Sequence, residues 1–124
     1  MEVTSVAPGG RQLIQAYREG GFTVAGIRYE GSLLVMPERT LAWPVDGLSA
    51  ITLESVAPIT LSDPAIELLI LGCGPRFALA PPALRDGLRG HGVVVDAMAT
   101  PAACRTFNVL LAEDRRVAAA LIAL

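Results

Sequence analysis

The sequence predicts an α/β layered domain built on a mixed sheet. Two apolar runs, residues 66–71 and 93–98, flank a stretch that begins at Pro81-Pro82 and has the composition of a helix. Such a strand–helix–strand unit makes its two strands parallel and its crossover right-handed. Two β-rich runs before it, residues 22–29 and 32–36, predict an antiparallel meander. The predicted order is therefore antiparallel strands, then β-α-β-α, then a short C-terminal helix.

Length and composition favour a single domain with one hydrophobic core. The chain has 124 residues, which is the size of a single domain. Hydrophobic residues make up 52% and charged residues 18%, so the chain is more apolar than an average domain. No apolar run approaches the roughly 18 residues that a membrane span needs. We therefore expect the apolar excess to be buried in the sheet, in a homo-oligomer or in a partner interface.

The charge pattern disfavours nucleic acid as a partner. The formal net charge is −2, whereas binding to phosphates needs a concentrated basic face. All ten basic side chains are arginine. Two interpretations stay open: a bias towards GC-rich codons, or planar recognition of carboxylate or phosphate groups, which arginine performs better than lysine.

The two cysteines, Cys73 and Cys104, are too few for a disulfide framework. The N-terminal residues lack the basic and apolar regions of a signal peptide. These features predict a cytoplasmic protein with both thiols free, the thiols acting as small core side chains.

The N-terminal third predicts short strands joined by turns. Residues 1–19 contain Pro8-Gly9-Gly10 and show no periodicity, which favours a loose lead-in, and the domain proper is expected over residues 20–124. The Glu30-Gly31 pair predicts a hairpin turn between residues 22–29 and 32–36. Residues 40–45 predict a further strand, closed by Trp43-Pro44, with Trp43 as a core anchor.

Residues 48–59 are ambiguous. Thr52 is a candidate cap for a short helix through Ala57, which Pro58 is expected to stop. Ser62-Asp63-Pro64 then predicts a turn.

The second half is more regular. Residues 66–71 lead into the tight turn Gly72-Cys73-Gly74, and the helix from Pro81-Pro82 is expected to end near Arg89. Thr100 is the predicted N-cap of the next helix and Pro101 its first residue. Its apolar stripe consists of Ala103, Phe107, Leu110 and Leu111. A break at Glu113-Asp114 and a final helix over residues 115–122 complete the prediction.

The parallel strands also predict where a ligand would bind. In open α/β sheets the usable crevice lies beyond the carboxyl ends of the strands, here Leu71 and Met98. The helix that follows Met98 would offer unpaired N–H groups to a small anion. The candidate crevice residues are Gly72, Cys73, Gly74, Thr100, Arg105 and Asn108. The alternative is that the two glycines only allow a tight turn of the chain.

Several kinds of site are disfavoured. Gly72-Cys73-Gly74 lacks the third glycine and the adjoining helix of a dinucleotide fingerprint, and no phosphate-binding loop is present. Cys73 is the one candidate nucleophile, but His91 is predicted at the opposite end of the βα unit. One histidine and two cysteines are too few for a metal site. The residues therefore predict no catalytic group, no metal and no cofactor.

Two charged features remain open. Asp96, inside an apolar strand, either pairs with an arginine or faces water. The mixed patch over residues 113–116 is either a solvated helix junction or a docking surface.

Several segments of the chain together resemble a known family. The segment most specific to that family is residues 100–113. It is supported by residues 116–121 and by three shorter motifs: Gly31-Ser32-Leu33, Trp43-Pro44 and Ile70-Leu71-Gly72-Cys73-Gly74. Over roughly residues 20–124 the chain resembles the Mth938-like domain family. That family, long classed as a domain of unknown function, includes mitochondrial complex I assembly factor 3 and an adipogenesis-associated cytosolic protein.

The resemblance implies a three-layer α/β domain on a central mixed sheet. It also implies an assembly role, since the mitochondrial relative helps to build respiratory complex I and no member is firmly established as an enzyme. Relatives often have threonine at the position of Cys73 and glycine at that of Asp114. A variable Cys73 argues against a thiol mechanism.

Two functions follow from these observations. The first is a non-catalytic binding or assembly factor with a protein partner, such as an assembly intermediate of a respiratory complex. The second is a small anion- or metabolite-binding domain, enzymatic or not, that uses the crevice at the strand ends.

Overall fold

The computed structural model describes residues 10–124. Two short 3-10 turns, Leu48–Ala50 and Glu54–Val56, precede the first helix. The helices are α1 (Ala57–Thr60), α2 (Pro82–Gly90) and α3 (Thr100–Ala112). The strands are β1 (Ile14–Arg18), β2 (Gly21–Val24), β3 (Ile27–Glu30), β4 (Leu33–Val35), β5 (Thr40–Ala42), β6 (Leu68–Gly72), β7 (Val94–Met98) and β8 (Val117–Leu121).

The strands form two sheets. The strands β1, β2 and β3 make a small antiparallel sheet. The larger sheet has the order β5-β4-β8-β6-β7. In it β8 is parallel to β6 and antiparallel to β4, and β6 is parallel to β7. The predicted mixed sheet is confirmed, and β8 is the strand at which its parallel and antiparallel halves meet.

Hydrophobic side chains fill both faces of the larger sheet. One face packs against α2 and the segment 43–59, through buried residues that include Trp43, Val56, Ile59, Leu84 and Leu88. The other face packs against α3 and the small sheet, through Phe22, Val24, Phe107 and Leu111 among others. The three layers that the resemblance implied are therefore present, and the α/β class predicted from the sequence is confirmed.

The prediction for the C-terminus was wrong, because residues 117–121 form strand β8 and not a helix. All five of its residues are fully buried, with Ala118 and Ala120 on one face of the sheet and Ala119 on the other. Alanine has a high intrinsic helix propensity, which favoured the helical interpretation. Tertiary context overrides it here, because a central strand with layers on both faces gains from small side chains that let those layers approach.

The predicted hairpin at Glu30-Gly31 was also wrong. The hairpin turn lies earlier, at Ala25-Gly26, where both residues have positive φ angles of 49° and 82°. That conformation matches the twist of a two-residue hairpin, but alanine rarely adopts it, so the sequence signal was weak. Gly31, with φ of 83°, instead redirects the chain from the small sheet to the larger one.

The expected loose lead-in over residues 1–19 needs correction. Residues 1–9 lie outside the described part of the chain. Ile14–Arg18 is a strand that pairs with β2, so residues 14–18 belong to the fold. Its pairing partners and its contact with α3 lie far along the chain, and no local pattern announced them.

The segment before β6 contains two short 3-10 turns followed by α1, where the sequence predicts one short helix. Thr52 lies one residue before Leu53, the N-cap of the second 3-10 turn, and its Oγ1 accepts a hydrogen bond from the Ser55 N–H at 3.1 Å. Pro58 does not stop a helix but lies in the first turn of α1, where its missing N–H costs nothing.

Helix α3 differs from the prediction at its N-terminus. Ala99 is the N-cap, Thr100 is already helical, and its hydroxyl makes no cap. At the other end Asp114 has φ of 61°, and the N–H groups of Asp114 and Arg115 donate to the carbonyls of Leu111 and Leu110. This is a Schellman ending, in which glycine is the usual residue at the left-handed position.

Candidate functional site

Three of the predicted crevice residues meet at the carboxyl end of β6. The Thr100 hydroxyl accepts a hydrogen bond from the Gly74 N–H and donates one to the Ile122 carbonyl, both at 2.8 Å. Thr100 is 0% exposed, and a Cβ on Gly72 would lie 2.9 Å from its Oγ1. Gly72 is therefore required for close packing of α3 against β6.

The amides of the Gly72-Cys73-Gly74 turn are used within the chain. The Cys73 N–H donates to the Met98 carbonyl, and the Gly74 carbonyl accepts from the Thr100 N–H, each at 2.8 Å. With the Gly74 N–H bound to Thr100, an incoming anion would have to displace these hydrogen bonds.

The two thiols are held in their protonated form. Partial burial raises the pKa of the Cys73 thiol, although hydrogen bonds from backbone groups oppose that shift. Burial raises the pKa of Cys104 to about 12. A thiolate is the nucleophilic and metal-binding form of cysteine, so neither environment activates the sulfur.

Arg105 and Asn108 take no part in the hydrogen bonds of that turn. Arg105 is exposed, and its guanidinium group forms no hydrogen bond or ion pair with the described residues. The Asn108 amide clamps β1 onto α3: its Nδ2 donates to the Ile14 carbonyl at 2.8 Å, and its Oδ1 accepts from the Ile14 N–H at 2.9 Å.

A cleft of about 430 Å³ opens instead at the carboxyl end of β8, and we call it the β8 cleft. It is lined by Gly31, Ser32, Trp43, Pro44, Val45, Asp46 and Ala123. Parallel strands end at the same edge of a sheet, so this cleft lies on the edge where the sequence placed the crevice. It is displaced by one strand, from β6 to β8.

Hydrogen bonds fix the walls of the β8 cleft. Ser32 accepts from the Ala123 N–H through Oγ at 3.0 Å, and its carbonyl accepts from the Trp43 N–H at 2.9 Å. The buried Trp43 indole donates to the Ser55 carbonyl at 2.9 Å, which confirms Trp43 as a core anchor. These hydrogen bonds tie the cleft walls to the end of β8 and to the segment that contains Ser55.

The chemistry of the β8 cleft is limited. Asp46 is its one ionisable lining residue, and its carboxylate has no hydrogen-bond or ion-pair partner in residues 10–124. Ser32 lies in the cleft without a histidine beside it among the lining residues, so it has no general base there. The arrangement can hold a small polar or cationic group at its rim.

A second surface runs along α2 and the edge strand β7, and we call it the α2–β7 surface. It has one depression of about 140 Å³ lined by Arg85, Arg89, Val93, Val94 and Val95. A neighbouring one of about 190 Å³ is lined by Leu79, Ala80, Pro82, Arg85 and Asp86. Arg85 lines both depressions, so the two form one continuous surface.

Exposed apolar side chains border this surface. Leu79 is 73% exposed and Val94 is 66% exposed, and Phe77 lies exposed in the same loop as Leu79. The guanidinium groups of Arg85 and Arg89, one turn apart on α2, form no ion pair or hydrogen bond with residues 10–124. Exposed apolar groups beside uncompensated arginines are typical of protein-binding surfaces.

Residues 10–124 contain neither a side-chain cluster suited to a metal ion nor a helix suited to a membrane. No group of three or more His, Cys, Asp or Glu side chains within residues 10–124 is arranged to hold a metal ion. In the same range no helix combines the length and the apolar character needed to cross a membrane.

The β8 cleft was missed from the sequence although its residues were noticed. Gly31-Ser32-Leu33 and Trp43-Pro44 were singled out as motifs, and most of those residues line the cleft. Because the sequence predicts a helix over residues 115–122, it does not predict the carboxyl end of a third parallel strand. The α2–β7 surface carried no motif, and only its exposed loop apolar residues could have pointed to it.

Comparison with known proteins assigns the domain to a family. A family model described as a protein of unknown function (DUF498/DUF598) matches residues 14–122. The chain is similar to the NADH dehydrogenase [ubiquinone] 1 alpha subcomplex assembly factor 3 of Danio rerio, with 38% identity over 110 residues. The match covers 89% of this chain but 63% of that relative, which therefore extends well beyond it.

Solved structures agree with the fold. A protein of Bartonella henselae, described as an outer membrane protein, is 39% identical with a TM-score of 0.85, over 92% of this chain and 96% of that one. The solution structure of a Mth938-like domain from Bordetella pertussis is 29% identical with a TM-score of 0.80, over 98% and 91%. The resemblance seen in the sequence motifs is thus confirmed.

Proposed function

The chain belongs to the DUF498/DUF598 family of proteins of unknown function, and from that premise we propose that it is a non-catalytic binding and assembly factor for the respiratory NADH dehydrogenase, complex I. The observation that carries this proposal is the similarity, across 89% of the chain, to a protein named as an assembly factor of that enzyme. Its partners would be assembly intermediates of the complex. The chain spans under two thirds of that relative, so we assign this role to the shared domain.

The surface of the domain supports a binding role. An assembly factor must hold incomplete subunits, and its contact surface needs exposed apolar groups with a polar rim. The α2–β7 surface has both, because Leu79 is exposed beside Arg85, and Arg89 follows one turn along α2. We place the contact there.

We also place the protein in the cytoplasm. Cys73 and Cys104 are free thiols, and Cys104 is buried, so it is not accessible for a disulfide with another molecule. Free thiols suit a reducing compartment. From the cytoplasm the protein would meet those parts of the complex that project from the membrane into it.

The test is affinity capture of the tagged protein from cells of its source organism after gentle solubilisation, with mass spectrometry of the recovered proteins. We expect subunits of NADH dehydrogenase to be enriched. Leu79→Ser should reduce their recovery about tenfold, because it removes an exposed apolar contact from the proposed interface.

The matched control is Ile27→Ser. Ile27 is also exposed, at 56%, but it lies beside the hairpin turn of the small sheet, on the opposite side of the larger sheet from α2. Its replacement should leave recovery unchanged. Absence of NADH dehydrogenase subunits from the captured material, with the protein folded, would contradict the proposed function.

A further inference from the structure

The free edge of β7 leaves backbone hydrogen-bonding groups available. Strand β7 is the last strand of the larger sheet, and in residues 10–124 it pairs with β6 alone. The Val94 N–H donates to the Glu67 carbonyl at 3.0 Å, and the Met98 carbonyl accepts from the Cys73 N–H at 2.8 Å. Because backbone groups alternate in direction along a strand, those of Val95 and Ala97 point away from β6.

The two faces of β7 differ in chemistry. Val95 and Ala97 pack towards the core that contains α2, and Met98 packs towards the core that contains α3. By alternation, Val94 and Asp96 lie on the α3 face, and both are exposed. On the α2 face, the groove beside β7 is bordered by Arg85 and Arg89.

We propose that β7 binds an extended segment of a partner protein as a sixth strand of the larger sheet. The segment would carry acidic side chains at alternate positions, facing Arg85 and Arg89. On its other face it would place apolar side chains near Val94 and a basic one opposite Asp96. Backbone hydrogen bonds would supply affinity and the two charge matches would supply selectivity.

Charge complementarity argues for this occupant over a second copy of the chain. A two-fold pairing of β7 strands through Val95 and Ala97 would be antiparallel and would set Asp96 directly opposite its symmetry mate. Like charges directly opposite across strands are destabilising. A partner strand with a basic residue at that position converts the repulsion into attraction. An unpaired edge that carries a charge is also a recognised protection against self-association.

The inference deepens the proposed function, because such a segment would belong to the bound subunit. It can nevertheless be tested on the isolated chain. The probe is the end-blocked peptide Glu-Val-Glu-Lys-Glu-Val-Glu, which reads the same in both directions and so fits a parallel or an antiparallel strand. The control peptide, Glu-Glu-Glu-Glu-Val-Val-Lys, has the same composition and charge without the alternation.

The measurement is a titration of the isotope-labelled protein with each peptide to millimolar concentration, followed by the amide signals in NMR spectra. We expect saturable shifts centred on the Val95 and Ala97 amides with the alternating peptide, and binding about tenfold weaker with the control peptide. The double substitution Arg85→Glu with Arg89→Glu should weaken binding of the alternating peptide about tenfold. Arg18→Glu, at an exposed position on β1, should not.

A backbone test complements the charge test. Ala97→Pro removes the outward N–H while leaving the hydrogen bonds to β6, and it should abolish the shifts. If that variant does not fold, the arginine double variant, whose substitutions are at exposed helix positions, decides the matter. The proposal is overturned by shifts centred elsewhere, by equal binding of both peptides, or by binding that is insensitive to the arginine substitutions.

Self-pairing would overturn it as well. It would appear as concentration-dependent shifts of the Val95 and Ala97 amides without peptide. None of these results depends on the recovery of NADH dehydrogenase subunits from cells. If the peptide does not bind but NADH dehydrogenase subunits are recovered, the added strand is rejected and the assembly role is kept. If the peptide binds but no such subunits are recovered, only the assembly role is rejected.

Discussion

At the residue scale, Thr100 connects three segments that are distant in sequence. Its hydroxyl bridges the Gly74 N–H after β6 and the Ile122 carbonyl after β8, and its backbone begins α3. A buried hydroxyl is stabilising only when both its donor and its acceptor capacity are used, and here both are. The residue that the sequence offered as a helix cap therefore fixes the ends of two strands.

Thr100→Val tests this role. Valine keeps the shape but leaves the buried Gly74 N–H and Ile122 carbonyl without their partner, so we expect a loss of about 1–3 kcal/mol in the free energy of unfolding. Urea denaturation measures it. Thr106→Val, at a half-buried position on the same helix, should stay within about 0.5 kcal/mol. Equal effects of the two substitutions would refute the bridging role.

The cysteines make a second prediction at this scale. With raised thiol pKa values, both should react with iodoacetamide at pH 8 more slowly than a free cysteine, and Cys104 more slowly than Cys73. Mass spectrometry of the alkylated peptides gives both rates. Reaction of Cys73 faster than the free amino acid would reveal an activated thiol and revive a catalytic hypothesis.

The raised pKa of Cys104 also gives the stability a pH dependence. Its thiol ionises near its ordinary value of 9.0 in the unfolded chain but only at about 12 in the folded protein. The folded state therefore holds its proton over that interval while the unfolded state loses it. The contribution of this group to stability is complete below pH 9 and declines as the pH rises through the interval. Comparing Cys104→Ala with the parent chain across alkaline pH isolates this slope.

At the scale of elements, α3 organises the layer on its side of the sheet. Its buried stripe of Ala103, Cys104, Phe107 and Leu111 packs on β6 and β8, and Asn108 reaches sideways to β1. The helix therefore joins the small sheet to the larger one. The arrangement explains why residues 14–18 are ordered despite a sequence without a strong strand pattern.

Asn108→Ala should release β1. Two hydrogen bonds to Ile14 are lost, and we expect a cost of about 1–2 kcal/mol with faster amide hydrogen exchange in Ile14–Arg18. Val109→Ala, at the exposed neighbouring position, serves as the control and should leave exchange in β1 unchanged. Unchanged exchange in Asn108→Ala would show that the small sheet is held by its apolar contacts alone.

At the scale of the whole molecule, β8 makes the fold depend on its C-terminal segment. It pairs with β4 on one side and β6 on the other, so it lies between the antiparallel and parallel halves of the larger sheet. Its buried side chains also belong to both hydrophobic clusters. Loss of this strand would expose both clusters together.

Deletion of residues 117–124 should therefore unfold the entire domain and not only its end. We expect loss of the dispersed NMR spectrum and of the near-ultraviolet circular dichroism of Trp43. Deletion of Leu124 alone, which keeps β8, should preserve both signals. A truncated chain that retained a folded half would show that the two halves of the sheet are independent.

The sequence by itself determined the α/β class, the βαβ unit and the family, because these rest on local periodicity and on residue order. It also identified Trp43 as a core anchor and the end of a helix at Glu113-Asp114. Tertiary structure alone decided that residues 117–121 are a strand, because their alanines fit a doubly covered sheet only when both covering layers are in place.

The candidate sites, like strand β8, are decided by tertiary structure. The β8 cleft and the α2–β7 surface are each formed by segments that are separated in sequence and meet only through sheet topology. Thr100 and Asn108 were noticed as polar residues on a helix, but their partners lie 22 to 94 residues away. Side-chain type can be inferred from a local pattern, whereas the partner of a side chain is set by which distant segments the sheet brings together.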